Sequence, residues 1–114
     1  KRWNSMKQSY MVYGKVQGVM FRKTLILAAK RRGIIAGATN DRQDLNCVHF
    51  SLEGKEQDIL DIEEKLLSLP ELNSWGAKPN KLEKVQNYRE ISCYEVTTEN
   101  IGELNFSSGV TFYL

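Results

Sequence analysis

A glycine-containing turn between a strand pattern and a helix pattern constrains the fold of this chain most strongly. Residues 10–13 are rich in aromatic and β-branched side chains, as strands are, and a helical pattern begins near Met20. Gly14 and Gly18 lie between the two patterns, and because they lack Cβ atoms, backbone N–H groups can converge there. The start of a helix adds unpaired N–H donors and a partial positive charge. The turn is therefore suited to an anion, the alternative being a purely structural turn, since glycine turns before helices are common.

The rest of the sequence alternates between the periods of strands and helices. The apolar spacing predicts strand, helix, strand, strand, helix and strand at residues 8–13, 20–32, 34–40, 47–53, 55–69 and 82–92. A closing strand is predicted at residues 110–114. This order is the split βαβ pattern, in which both helices cover one face of an antiparallel sheet. The predicted fold class is α+β, a ferredoxin-like sandwich with four to five strands.

Two charged runs are explained most simply as solvated surface. Lys30, Arg31 and Arg32 end the first helix, where cations complement the helix dipole, and no aromatic platform for single-stranded nucleic acid accompanies them. The acidic residues between positions 56 and 64 lie largely away from the apolar stripe of the second helix. We therefore expect neither a nucleic-acid partner nor paired catalytic carboxylates from these runs.

Cys47 and His49 raise the question of a cysteine nucleophile with a histidine base. The alternation of this strand places both side chains on the face opposite Val48, Phe50 and Leu52. Such a pair can work only if that face is open, and we interpret the two as ordinary residues of the sheet surface. His49 is the only histidine, so a metal site with two histidine ligands is excluded.

Composition limits the class of protein without identifying it. The 114 residues, 41% of them hydrophobic, suffice for a single core, and a formal net charge of +2 is too small to indicate nucleic acid. No apolar run approaches the roughly 20 residues that span a bilayer, and no secretory signal is visible. Cys47 and Cys93 are not in a C-x-x-C arrangement, which suggests reduced thiols, although the two could meet in a folded sheet.

These features predict a cytoplasmic protein that is monomeric and has no membrane partner. Residues 1–5 show no periodicity, and we interpret them as a cloning remnant or a flexible arm. Residues 6–114 are then expected to form one domain.

Two motifs on separate elements carry a family resemblance. The string Gly14-Lys-Val-Gln-Gly-Val-Met-Phe-Arg22 resembles the acylphosphatase signature Gly-x-Val-Gln-Gly-Val-x-Phe-Arg at every fixed position. Gly33-Ile-Ile-Ala-Gly-Ala-Thr-Asn40 resembles the family's Gly-x-x-Gly-Trp-Val-x-Asn at the same offset. The resemblance implies the ferredoxin-like fold with a fifth strand, and an acylphosphatase-like domain over residues 6–114.

The resemblance also implies a reaction, namely hydrolysis of the carboxyl–phosphate bond of a small-molecule acyl phosphate to a carboxylate and inorganic phosphate. Arg22 and Asn40 would be the catalytic residues. Asn40 would hold the attacking water, and the planar fork of an arginine can hold two phosphate oxygens. No metal, cofactor or covalent intermediate is implied. The phosphate would be bound by amides of the 14–20 loop and by a guanidinium, at Val16, Gln17, Gly18, Val19, Met20 and Arg22.

Departures from the family pattern favour slow turnover. Where the family has Gly-Trp-Val, this chain has Ala36-Gly37-Ala38, which removes an aromatic side chain that would brace the strand of Asn40. Asp41 brings a negative charge close to the expected phosphate position. The alternative is a catalytically weak or inactive anion-binding domain. An RNA-binding sheet is disfavoured, because the third strand lacks a basic-Gly-aromatic string.

Overall fold

A computed structural model describes residues 4–104 and 109–114. In chain order the elements are β1 (Ser5–Lys15), α1 (Phe21–Arg31), β2 (Ile35–Asn40), β3 (Cys47–Lys55), α2 (Glu56–Ser68), β4 (Lys78–Val85) and β5 (Val96–Thr97). Two short 3₁₀ helices, Ile91–Cys93 and Ile101–Glu103, lie on either side of β5. Within the described ranges, neither α-helix is long and apolar enough to cross a membrane. Residues 1–3, which hold most of the expected N-terminal arm, lie outside the description, and β1 already begins at Ser5.

The strands form one sheet in the order β4-β1-β3-β2-β5, with every neighbouring pair antiparallel. The α1 helix packs over β2, and α2 packs over β4 and β3. The predicted α+β ferredoxin-like sandwich is thereby confirmed.

Strand alternation decides which side chains form the core between sheet and helices. Tyr10 of β1 stacks on Phe50 of β3, with ring centroids 4.6 Å apart. Buried apolar residues of α1 and α2, including Leu25 and Ile62, close the other side of this layer. We call the sheet face toward the helices the inner face and the opposite one the outer face. Asn40 is on the inner face, because it alternates in step with Ala36 and Ala38.

The last third of the chain differs from the expectation. The strand predicted at residues 82–92 instead spans Lys78–Val85. Pro79 lies within β4, which is an edge strand, where a missing N–H is tolerated. The closing strand predicted at residues 110–114 is also wrong, since only an isolated bridge between Phe112 and Asn73 forms there. The fifth strand is Val96–Thr97, where the apolar spacing predicted no strand.

The segment after β4 crosses the outer face. Ser51, fully buried on that face, contacts the Tyr94 hydroxyl at 2.6 Å and donates to the Arg89 carbonyl oxygen at 2.8 Å. The Tyr94 ring covers Gly37, where a Cβ atom would lie 2.8 Å from two carbons of the tyrosine side chain. Thus an aromatic ring from later in the chain covers the position at which the family has tryptophan.

The packing of Tyr94 on Gly37 predicts that Gly37→Ala destabilises the fold. The added methyl group must push back a side chain near its backbone attachment, and overpacking of this kind costs about 1–3 kcal/mol. Urea unfolding followed by circular dichroism measures the loss. Gly102→Ala is the matched control, because a Cβ there meets nothing within 4 Å. Equal stability of the two variants would contradict the packing argument.

Candidate active site

The loop between β1 and α1 holds its backbone in a conformation that leaves N–H groups available. Gly18 and Met20 both have left-handed φ angles, 75° and 60°, and α1 begins directly afterwards at Phe21. Met20 is the only described residue other than glycine with a positive φ, a conformation that is costly for a side chain and typical of functional loops. Outside helices and strands, the described residues include no backbone hydrogen bond donated by residues 17–20. Backbone N–H groups in this arrangement, at the start of a helix, are typical of anion-binding sites in proteins.

Gln17 fastens this loop to the turn between β2 and β3. Its Nε2 group lies within hydrogen-bond distance of three carbonyl oxygens, those of Asp41 at 2.9 Å, Asp44 at 3.2 Å and Cys47 at 2.8 Å. Since Asp41 follows Asn40, the Gln17 side chain ties the first motif to the end of the second. Its side chain is thus structural, and the phosphate contact implied by the resemblance would come from its backbone.

Asn73 also holds the loop, and no pattern in the sequence pointed to this residue. It is fully buried, and its Nδ2 donates to the carbonyl oxygen of Val19 and to Oγ1 of Thr24, both at 2.8 Å. Its Oδ1 accepts from the backbone N–H groups of Trp75 at 2.9 Å and Ala77 at 3.2 Å. Every polar atom of the Asn73 amide therefore has a partner, and the loop is joined to the segment before β4.

Arg22 and Asn40 meet at one pocket of about 160 Å³. Arg22 projects from the first turn of α1, and Asn40 ends β2 on the inner face. Oδ1 of Asn40 is buried and accepts no hydrogen bond from any described group. The two motifs thus contribute to one pocket, whose lining residues are Val16, Gly18, Met20, Phe21, Arg22, Lys23, Asn40 and Trp75.

Glu95 supplies a carboxylate to this site from outside both motifs. Its Oε1 lies 2.6 Å from Nη1 of Arg22, with side-chain exposures of 67% for Glu95 and 25% for Arg22. The backbone N–H of Glu95 donates to Oγ1 of Thr39, beside Asn40, at 2.8 Å. The carboxylate therefore approaches the guanidinium from the edge formed by β2 and β5.

The interpretation of Cys47 as an ordinary residue of an open sheet surface is wrong, because Cys47 is only 1% exposed. Burial, with the nearby charges of Asp41 and Asp44, raises the pKa of its thiol to about 11. A nucleophilic cysteine needs a lowered pKa and access to substrate, and Cys47 has neither. The thiols are free, with Cys47 buried and Cys93 exposed.

Asp41, whose negative charge was expected close to the phosphate position, is directed away from the pocket. Its Oδ1 accepts from the backbone N–H groups of Gln43 at 2.9 Å and Asp44 at 2.8 Å, and its Oδ2 lies 2.7 Å from Nε2 of His49. The Asp44 N–H, then His49 and the Gln43 N–H, hold the pKa of Asp41 at about 2. The charge faces the β2–β3 turn, and Asp41 does not line the pocket.

Comparison with known proteins establishes the family. A family model described as acylphosphatase matches residues 8–92. The chain belongs to the acylphosphatase family. A search of curated protein sequences found no significant match.

Two solved structures share the acylphosphatase fold. The crystal structure of acylphosphatase from Bacillus subtilis is 23% identical, with a TM-score of 0.55, and the match covers 69% of this chain and 81% of that one. Full-length HypF, crystallised in a phosphate- and nucleotide-bound form, is 20% identical with a TM-score of 0.55. That match covers 79% of this chain but 12% of HypF, so the likeness concerns one small part of a longer protein.

The contacts of Asn73 predict that Asn73→Ala lowers stability by about 2–3 kcal/mol, because it leaves several buried polar groups without partners. The loop amides should also lose their arrangement. Urea unfolding gives the stability, and the rise in melting temperature on adding phosphate reports anion binding. Asn87→Ala, at an exposed position, is the control and should match the wild type in both measurements. An unchanged phosphate response in Asn73→Ala would contradict the supporting role of Asn73.

Proposed function

We propose that this acylphosphatase-family chain hydrolyses acyl phosphates to a carboxylate and inorganic phosphate. The observation that carries the proposal is that Arg22 and Asn40, from separate motifs, line one pocket beside the glycine loop. Family membership supports the same general activity.

The phosphoryl group would bind where the loop and the start of α1 meet. Backbone N–H groups of residues 16–20 would surround its oxygens, and the Arg22 guanidinium would hold two of them through its planar fork. The pocket is lined by the cations Arg22 and Lys23, and by no carboxylate or histidine among the described residues. The charge of this lining suits a phosphate dianion that displaces the Glu95 carboxylate from Arg22. Donors held in place before binding need no reorganisation during the reaction.

Asn40 would orient the attacking water. Its Oδ1 has no partner within the described chain, so it can accept a hydrogen bond from a water placed against the phosphorus. An amide is not a base, and the pocket lining offers none. The proton of the water would pass to the substrate phosphate, and the leaving carboxylate, being weakly basic, needs no protonation. The side chains thus serve by binding and orientation, without a covalent intermediate.

Hydrolysis of benzoyl phosphate by the purified protein tests this proposal. We expect Arg22→Ala and Asn40→Ala each to lower kcat by about 100-fold or more, because each removes a group that binds or orients the reacting atoms. Arg31→Ala is the control, since it removes an exposed cation from the other end of the same helix and should leave the rate unchanged. Wild-type turnover no faster than spontaneous hydrolysis would contradict the proposed hydrolase activity.

The Glu95 contact favours a second candidate, an anion-binding domain with weak or no turnover. A carboxylate already satisfies part of the guanidinium, so Arg22 is less available to stabilise a reacting phosphoryl group, whereas the loop amides would still bind an anion. Thermal protection by inorganic phosphate, without hydrolysis of benzoyl phosphate, would select this candidate.

For the enzyme, Glu95 is expected to compete with the substrate for Arg22. Both side chains keep solvent contact, and exposed ion pairs of this kind contribute about 0.2–1 kcal/mol. Glu95→Gln should therefore lower KM by up to roughly fivefold. Glu99→Gln is the control, because it removes one charge from an exposed position of the same segment. A raised KM in Glu95→Gln would mean instead that Glu95 positions the guanidinium for substrate.

A further inference from the structure

A second cluster of side chains, all of types that bind metal ions, lies where β2 ends and β3 begins, outside the pocket. Asp41, Cys47 and His49 each direct one donor atom to a common region, and these three atoms all lie within 4.8 Å of one another. The three donors are a carboxylate oxygen, a sulfur and an imidazole nitrogen. They belong to one tight turn and the strand after it, so their spacing is fixed by backbone hydrogen bonds, including Asp41 N–H to the Cys47 carbonyl at 3.1 Å.

Asp41 is held in the orientation that a ligand needs. Two backbone N–H groups, of Gln43 and Asp44, occupy its Oδ1, which leaves Oδ2 facing His49. Hydrogen bonds to the second oxygen of a carboxylate are typical support for a metal-binding side chain, because they fix its direction before the ion arrives.

The three side chains differ in their exposure to solvent. Cys47 is buried, whereas the side chains of His49 and Asp41 keep 29% and 25% of their exposure. Asp44 and Glu83 add negative charge close to the sulfur. A cation would therefore meet the partly exposed imidazole and carboxylate first, and small movements of these two side chains would be needed for it to reach the buried sulfur.

We propose that Asp41, Cys47 and His49 bind one zinc ion. Thiolate, imidazole and carboxylate are all ligands that zinc accepts, and a water molecule would complete the tetrahedron. Binding converts the thiol to a thiolate and releases its proton to solvent. The contact between Nε2 of His49 and Oδ2 of Asp41 must open from 2.7 Å to roughly 3.3 Å, the separation of two donors on a tetrahedral zinc, which small side-chain rotations supply.

The ion would act on the fold and on the end of β2, and not on the reacting bond. It would link Asp41 to β3, and Asp41 directly follows Asn40 in the chain. Zinc binding is thus expected to stabilise the folded chain and to restrict the strand end that carries Asn40. None of its three ligands lines the pocket, so the inference does not depend on the proposed hydrolysis.

The experiment uses tag-free protein stripped with a chelator, loaded with zinc and dialysed, with bound zinc measured by mass spectrometry. We expect about one zinc per chain, a melting temperature raised by several degrees, and with cobalt a sulfur-to-metal absorption band. Magnesium should give no shift in melting temperature, because sulfur and imidazole are poor ligands for it.

The two cysteines provide the decisive comparison. Cys93→Ser should retain the zinc, whereas Cys47→Ala and His49→Gln should lose it. His49→Gln alters a partly exposed side chain and so tests the site even if the buried Cys47 substitution disturbs folding. Failure of the wild type to retain zinc, or retention that follows Cys93 or survives His49→Gln, would overturn the proposal.

Discussion

Two amide side chains, Gln17 and Asn73, hold the glycine loop in place, and the rest of the site depends on this. If the N–H groups of a loop bind a substrate, the same groups cannot also form the hydrogen bonds that fix the conformation of the loop. The Gln17 side chain fixes the loop instead, because it donates hydrogen bonds to carbonyl oxygens of the β2–β3 turn. Asn73 donates to the loop's own carbonyl at Val19. The loop is therefore fixed through a carbonyl group and one side chain, and outside helices and strands the described residues include no backbone hydrogen bond donated by residues 17–20.

The periodicity of apolar residues predicted those helices and strands that form according to the pattern of neighbouring residues. The alternation of β2 and β3 and the helical stripes gave the order of the first five elements, and strand parity brought Asn40 to the face that α1 covers. The partners of Gln17 and Asn73 follow no period, because they lie on elements distant in the chain. A buried asparagine in a connecting segment looks like any loop residue until its neighbours are known. For this reason the sequence predicted the two motifs but not what joins them.

The C-terminal third shows how a departure from the family pattern is compensated by tertiary contacts. Gly37 by itself suggests a weakened strand, since glycine offers no side chain to pack. The Tyr94 ring fills that space, and its hydroxyl contacts Ser51. A tryptophan at position 37 and a tyrosine at position 94 could not occupy this space together. Gly37 and the course of the later segment are therefore linked by packing, and Glu95 directly follows Tyr94 in the chain.

Strand parity also separates the acidic side chain of Asp41 from the pocket that Arg22 and Asn40 line. Neighbouring residues of a strand end project to opposite sides, so neutral Asn40 lines the pocket and Asp41 turns toward His49. The distinction matters, because two unit charges about 4 Å apart interact by roughly 4 kcal/mol at an effective dielectric constant near 20, enough to cancel much of the attraction of one arginine. Glu95 does approach the site, but its carboxylate contacts the guanidinium directly and remains largely in water. The Asp41 carboxylate thus points away from the pocket, and solvent weakens the attraction between Glu95 and Arg22. Only the Glu95 carboxylate can be displaced from Arg22 by an incoming anion.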